Sequence, residues 1–142
     1  VFAHVLLTRP ELLKGAPPEL ARLWRWHSIE EIEHKAVAYD VFMHAIAGLS
    51  PLRRWAFRRR AMVMTTLLFL KTIRVTALML LKQDGITGLD ARLRLWRWLW
   101  LKPGLYRLIT RDYLAFYRPG FHPWQSDDRG LIHAAEAALA AA

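Results

Sequence analysis

The chain has 142 residues, of which 54% are hydrophobic and 23% charged, so it is long and apolar enough to form a folded domain. It contains no cysteine, which excludes disulfides, zinc–thiolate sites, iron–sulfur clusters and thiol nucleophiles. The formal net charge is +9, a value that suggests nucleic acid or an anionic membrane as a partner.

The first half of the chain predicts helices separated by glycine and proline. No segment shows the alternation of β-branched residues that indicates a strand. An apolar helix is predicted over residues 1–7, with a further turn starting at Pro10. A long helix is then predicted from Pro18 to about Ala47, where Gly48 ends it.

The second half continues the helical pattern. Ser50 and Pro51 form an N-cap and first-turn pair that predicts a second long helix to about Lys82. Shorter helices are predicted over about residues 91–101 and 105–117, followed by an extended segment at 118–124 and an alanine-rich helix capped by Asp127 or Asp128. Because the two long helices would each span about 40–50 Å, the sequence predicts one all-α domain over residues 1–142, built as an elongated bundle.

Four potential metal ligands share one face of the first long helix. At about 100° per residue, Glu30, Glu31 and His34 all fall within about 60° of His27. Glu31 and His34 form a Glu-x-x-His pair, the spacing that lets a carboxylate and an imidazole of one helix reach the same metal in ferritin-like bundles. The alternative interpretation is a solvated face on which Glu31 pairs with Lys35.

The remaining polar residues give weaker indications. Glu33, Asp40 and His44 lie on another face, which is interpreted either as a plain polar surface or as a network that orients a ligating histidine. His4 is interpreted as an ordinary polar residue of the first helix, with the alternative that it faces the same core as His34. His122 has no partner at a recognisable spacing.

Two segments carry a resemblance to a known family. One consists of Trp24-Arg25-Trp26-His27 followed by Glu30-Glu31-Ile32-Glu33-His34-Lys35 and the apolar residues up to Val41. The other runs from Arg118 to Trp124. Together they resemble the bacterial family named predicted metal-dependent hydrolases, which is similar to ferritin-like helical proteins, and the resemblance covers essentially the whole chain.

The resemblance implies a site and a cofactor. Glu31 and His34 match metal positions of the family, with His27 and Glu30 as further candidates. We therefore expect His27, Glu31 and His34 to bind a divalent metal (iron, manganese or zinc), and Glu30 to act as general base in hydrolysis of an undefined small molecule. A ferritin-like di-iron site would instead indicate an oxidoreductase.

The resemblance also implies that the chain is part of a larger domain. Family members are about twice as long, and their upstream half carries another Gln-Glu-x-x-His type motif. We therefore expect this chain to be the C-terminal part of such a domain, truncated at its N-terminus. A missing N-terminal half would supply the further metal ligands.

The basic residues concentrate in the middle of the chain. Residues 51–119 hold fifteen Lys and Arg against three acids, while the segments on either side are slightly acidic. The most hydrophobic window, residues 61–81, contains Lys71 and Arg74, which disfavour a membrane-spanning helix and favour a core helix.

A membrane-surface helix is the alternative for this segment. The arginines that precede the window, together with the Trp- and Arg-rich segment at 92–102, favour an anionic membrane as partner of residues 53–102. The absence of a recognised motif argues against nucleic acid. The expected location is cytoplasmic and peripheral at the inner membrane, and the rival function is a non-catalytic membrane-surface module.

Overall fold

Helices make up nearly all of the regular structure in the computed structural model, which describes residues 1–140. The α-helices are α1 (Phe2–Thr8), α2 (Pro18–Glu33), α3 (Val37–Ala45), α4 (Pro51–Gln83), α5 (Gly88–Trp100), α6 (Leu105–Ala115) and α7 (Arg129–Ala140). Short 3-10 helices occupy Pro10–Leu13 and Pro123–Gln125. Since residues 1–140 contain no strand, the predicted all-α class is confirmed. The ferritin-like arrangement and the N-terminal truncation stay predictions.

Local signals in the sequence account for several helix boundaries. Both α2 and α4 begin with a proline in the first turn, where the missing N–H costs nothing. Ser50 precedes α4 with the extended backbone angles of an N-cap residue, but its side chain makes no capping hydrogen bond. The Asp127 carboxylate accepts a hydrogen bond from the Arg129 backbone N–H at 3.2 Å, which confirms the predicted cap of α7.

The predicted continuous helix from residue 18 to residue 47 is wrong. The α2 helix ends at Glu33, three residues form a turn, and α3 then runs over Val37–Ala45. The turn contains neither glycine nor proline. Within this turn the Lys35 amino group donates to the Ser126 backbone oxygen at 2.6 Å and to the Asp128 carboxylate at 2.7 Å.

The described chain forms two compact units. Unit 1 consists of residues 1–45 together with the described residues from 109 onward. In its core, the buried side chains Ile29 and Ile32 of α2 meet the buried Ile132 of α7. Partly buried apolar side chains pack around this cluster: Ala3, Leu7, Leu131, Ala135 and Leu139.

Unit 2 consists of Ile46–Leu108 and contains α4 and α5, which contact each other. Among the described residues of α4, only Arg58 is buried. An 18-residue window of this helix has a mean hydropathy of 1.6, and none of the window is buried. By length and composition alone this helix is able to cross a membrane. The expected core helix is therefore not found within the described residues.

Candidate metal centre

The last two turns of α2 present the predicted metal-binding side chains. His27 Nε2 lies 3.6 Å from Glu31 Oε1, one helical turn away, and both side chains are largely exposed. The Trp24 ring meets the His27 ring edge-on, with 5.7 Å between the ring centroids. The i,i+4 spacing thus brings an imidazole nitrogen and a carboxylate oxygen together on one face, as the sequence predicts.

His34 directly follows Glu33, the last residue of α2. Its backbone N–H donates to the Glu30 carbonyl at 3.0 Å, but the next residues leave the helix. The side chain of His34 is exposed. Because the helix stops here, the Glu-x-x-His spacing of Glu31 and His34 no longer lies within an uninterrupted helix.

The metal donors of α2 are of a type that binds divalent metals, but too few of them lie together to form a catalytic metal site. Imidazole and carboxylate donors suit zinc, manganese and iron. Catalytic metal sites use about three or more protein donors. No group of three or more such side chains in residues 1–140 is arranged to hold a metal ion. The structure therefore brings His27 and Glu31 together as a two-donor pair and does not add His34 to them.

Sequence reasoning missed a polar cluster centred on Asp128, which is 6% exposed just before α7. Asp128 Oδ1 accepts a hydrogen bond from His4 Nδ1 at 2.9 Å, and its Oδ2 accepts one from Lys35 Nζ at 2.7 Å. The Lys35 ammonium also lies 4.2 Å from the centre of the Trp124 ring. The Asp128 carboxylate, just before α7, thus connects His4 of α1 with Lys35, which follows α2. No sequence spacing reveals this, because the partners lie 93 and 124 residues apart.

A second missed pair anchors the segment before α7. His122 Nε2 donates to the Asp40 carboxylate at 3.0 Å, and His122 Nδ1 accepts from the Trp124 backbone N–H at 3.2 Å. The Tyr39 hydroxyl donates to the Phe121 carbonyl. Asp40 therefore pairs with His122, a residue for which the sequence indicates no partner. This pair holds residues 121–124 against α3.

The Asp128 cluster makes folding dependent on pH. Burial alone would raise the pKa of Asp128, but hydrogen bonds from Lys35 and His4 hold it below its ordinary value of 3.8. A depressed pKa in the folded state stabilises the fold above pH 3.8, and this stabilisation is lost as the pH falls through the folded-state pKa.

We therefore expect the difference in free energy of unfolding between the wild type and Asp128→Asn to narrow as the pH falls from about 6 to about 3. Urea unfolding followed by circular dichroism at several pH values measures this difference. Two curves that stay parallel over the whole range would contradict the assignment.

The fold and the side-chain pairs define an all-α protein whose candidate metal donors are imidazoles and carboxylates. Residues 1–127 match the model of the family described as predicted metal-dependent hydrolases, so the chain belongs to this family. Membership implies a divalent metal, and it confirms the resemblance that the motifs indicate. No curated protein and no solved structure matches the chain.

Proposed function

We propose that the protein hydrolyses a small molecule with a divalent metal held at the end of α2, by His27, Glu31 and His34. The observation that carries the proposal is the His27–Glu31 pair, with 3.6 Å between donor atoms, in a chain of this family. A bound divalent metal supplies a nucleophilic hydroxide near neutral pH and polarises the scissile group.

The residues of α2 have separate roles in this proposal. His27 and Glu31 bind the metal, and the Trp24 ring limits the positions open to the His27 imidazole. Glu30 is half-buried next to the pair, and it serves as the general base that accepts a proton from the attacking water. His34 joins the ligands from the residue where α2 ends.

Two donors that already meet are too few for a catalytic metal, so the proposal requires further donors. We propose that they come from another part of the full-length protein, and that they approach the polar region shared by the end of α2 and the start of α1. The Asp128 carboxylate, which bonds to His4 of α1 and to Lys35 just after α2, lies in this region.

The test is the metal content of the protein expressed from its complete gene. We expect Glu31→Ala and His27→Ala to lower the bound metal by at least about ten-fold, since each removes a ligand. His44→Ala and Glu33→Ala are matched controls, because both residues are exposed and lie outside the proposed ligand set; they should retain the wild-type content. Mass spectrometry of the purified proteins gives the metal and its amount.

Further variants test the separate roles. Glu30→Gln should keep the metal, because a general base is not a ligand. His34→Ala should lose it, and full retention would remove His34 from the ligand set. Equal metal content in the wild type, Glu31→Ala and His27→Ala would refute the proposed centre. Iron together with oxygen consumption would favour a di-iron oxidoreductase over a hydrolase.

A further inference from the structure

Unit 2 carries most of the positive charge of the protein. Residues 46–108 contain thirteen Lys and Arg against two Asp, a net charge of +11. The remaining residues contain eight Lys and Arg against ten acids, a net charge of −2. The basic character of the chain therefore belongs to one unit, and the candidate metal centre lies in the other.

The α5 helix has one packed face and one exposed apolar face. Ala91 and Leu99 are buried and lie on the packed face. Leu89, Leu93, Trp96 and Trp100 follow the i, i+4, i+7, i+11 spacing and share another face. All four are at least 44% exposed. This apolar stripe does not contribute to the described core.

Arginines border the exposed stripe of α5. Arg92 and Arg97 are exposed and lie on opposite sides of it at about 100° per residue. Arg94 is also exposed and pairs with Asp90 at 3.0 Å. A helix with exposed Leu and Trp on one face and arginine at its borders is typical of helices that lie in a lipid interface.

The α4 helix also has an exposed apolar face. Phe57, Met64, Leu68, Val75 and Met79 recur at alternating spacings of seven and four, so they share one face, and all five are exposed. At the start of the helix, the Arg59 guanidinium lies 4.3 Å from the centre of the Trp55 ring. Unit 2 thus combines exposed apolar helix faces with a strong excess of cationic side chains.

We propose that unit 2 binds the surface of an anionic lipid bilayer. The stripe of α5 and the apolar face of α4 enter the interface, while the arginines contact lipid phosphates. Anionic headgroups complement the +11 charge of the unit, and the exposed tryptophans match the headgroup level. Because anionic lipids line the cytoplasmic leaflet, the protein is placed in the cytoplasm, peripheral at the inner membrane.

Two charged residues of α4 favour a helix at the membrane surface over a membrane-spanning helix. Lys71 and Arg74 are exposed in the middle of the apolar stretch. Each charge would be strongly unfavourable at the centre of a membrane-spanning helix. At the interface their charged ends stay in water while their aliphatic stems cover apolar surface. The α4 helix therefore lies on the membrane surface in this proposal, and evidence that α4 spans the membrane would contradict it.

The experiment is flotation of the protein, expressed from its complete gene, with vesicles. Vesicles of phosphatidylcholine with about one third phosphatidylglycerol are compared with pure phosphatidylcholine, at low and high salt. We expect binding to the anionic vesicles, weaker binding in high salt, and release by alkaline carbonate. Absence of binding to anionic vesicles, equal binding to both lipids, or retention after carbonate would overturn the proposal.

Two variants with matched controls locate the surface. Arg92→Gln, Arg94→Gln and Arg97→Gln combined should weaken binding roughly 100-fold, on a scale of about five-fold per basic residue. Leu89→Ser with Trp96→Ser should weaken it at least about ten-fold. The controls carry equivalent changes on exposed residues of unit 1: Arg9→Gln, Arg22→Gln and Arg111→Gln for the charges, and Leu23→Ser with Trp26→Ser for the apolar stripe.

Light scattering and a DNA-binding measurement distinguish the membrane from other partners of this surface. Light scattering that shows a stable dimer without vesicle binding would assign the apolar faces to a second copy of the chain. Binding to duplex DNA without vesicle binding would assign the charge to nucleic acid. Both results overturn the proposal, as would controls that lose binding as strongly as the α5 variants.

Discussion

Asp128→Asn is expected to lower the free energy of unfolding by about 3 kcal/mol at neutral pH. Asp128 is nearly buried and bonds to both His4 and Lys35. The side chain of Lys35 is only 15% exposed, so without the carboxylate its positive charge would remain largely desolvated. Loss of one partner of a buried pair costs more than the pair contributes, because the other charge stays uncompensated. Urea unfolding at constant ionic strength measures the change.

Asp127→Asn is the matched control for this experiment. Asp127 is the neighbouring residue and also forms an ion pair, at 2.7 Å from Arg129, but both side chains are largely exposed. Water and salt screen such a pair, so its removal should leave the free energy of unfolding essentially unchanged. Equal destabilisation by both variants would contradict the view that burial makes Asp128 important.

Ile32→Ala is the second substitution with a large expected effect, again about 3 kcal/mol of unfolding free energy. Ile32 is 3% exposed and lies in the cluster where α2 packs against α7. The change removes buried methyl and methylene groups and leaves a cavity, and the two losses add. Ile32→Val should cost about 1 kcal/mol, since it deletes a single methylene. Chemical unfolding of both variants gives the two values.

Leu23→Ala serves as the control on the same helix. Leu23 is 54% exposed, so its truncation removes little buried surface and should change the unfolding free energy by less than about 0.5 kcal/mol. An Ile32→Ala effect as small as that of Leu23→Ala would show that α7 does not pack against α2 in solution.

The sequence predicts those parts of the fold that depend on near neighbours. The start of α4 coincides with Pro51 in its first turn, and at the start of α7 the Asp127 carboxylate accepts from the Arg129 backbone N–H; both signals act within a few residues. The His27–Glu31 contact is equally local, since one helical turn brings the two side chains together.

Contacts between distant residues account for what the sequence does not predict. At the break between α2 and α3, Lys35 bonds to residues 126 and 128, more than ninety residues away. No local signal in residues 34–36 distinguishes them from helix interior. Because α2 ends at Glu33, His34 lies outside the helix that carries Glu31. His4 and His122 find their carboxylate partners through the same kind of long-range packing.

The family match ends at residue 127, whereas the core of unit 1 continues beyond it. Asp128 and Ile132 both lie after that boundary, and together they hold α1, α2 and the end of the chain in place. The matched segment therefore ends before the described core of unit 1 is complete. A shortened version cut at the family boundary would lack a buried counterion and a core side chain, so the choice of expression boundaries matters as much as any point substitution.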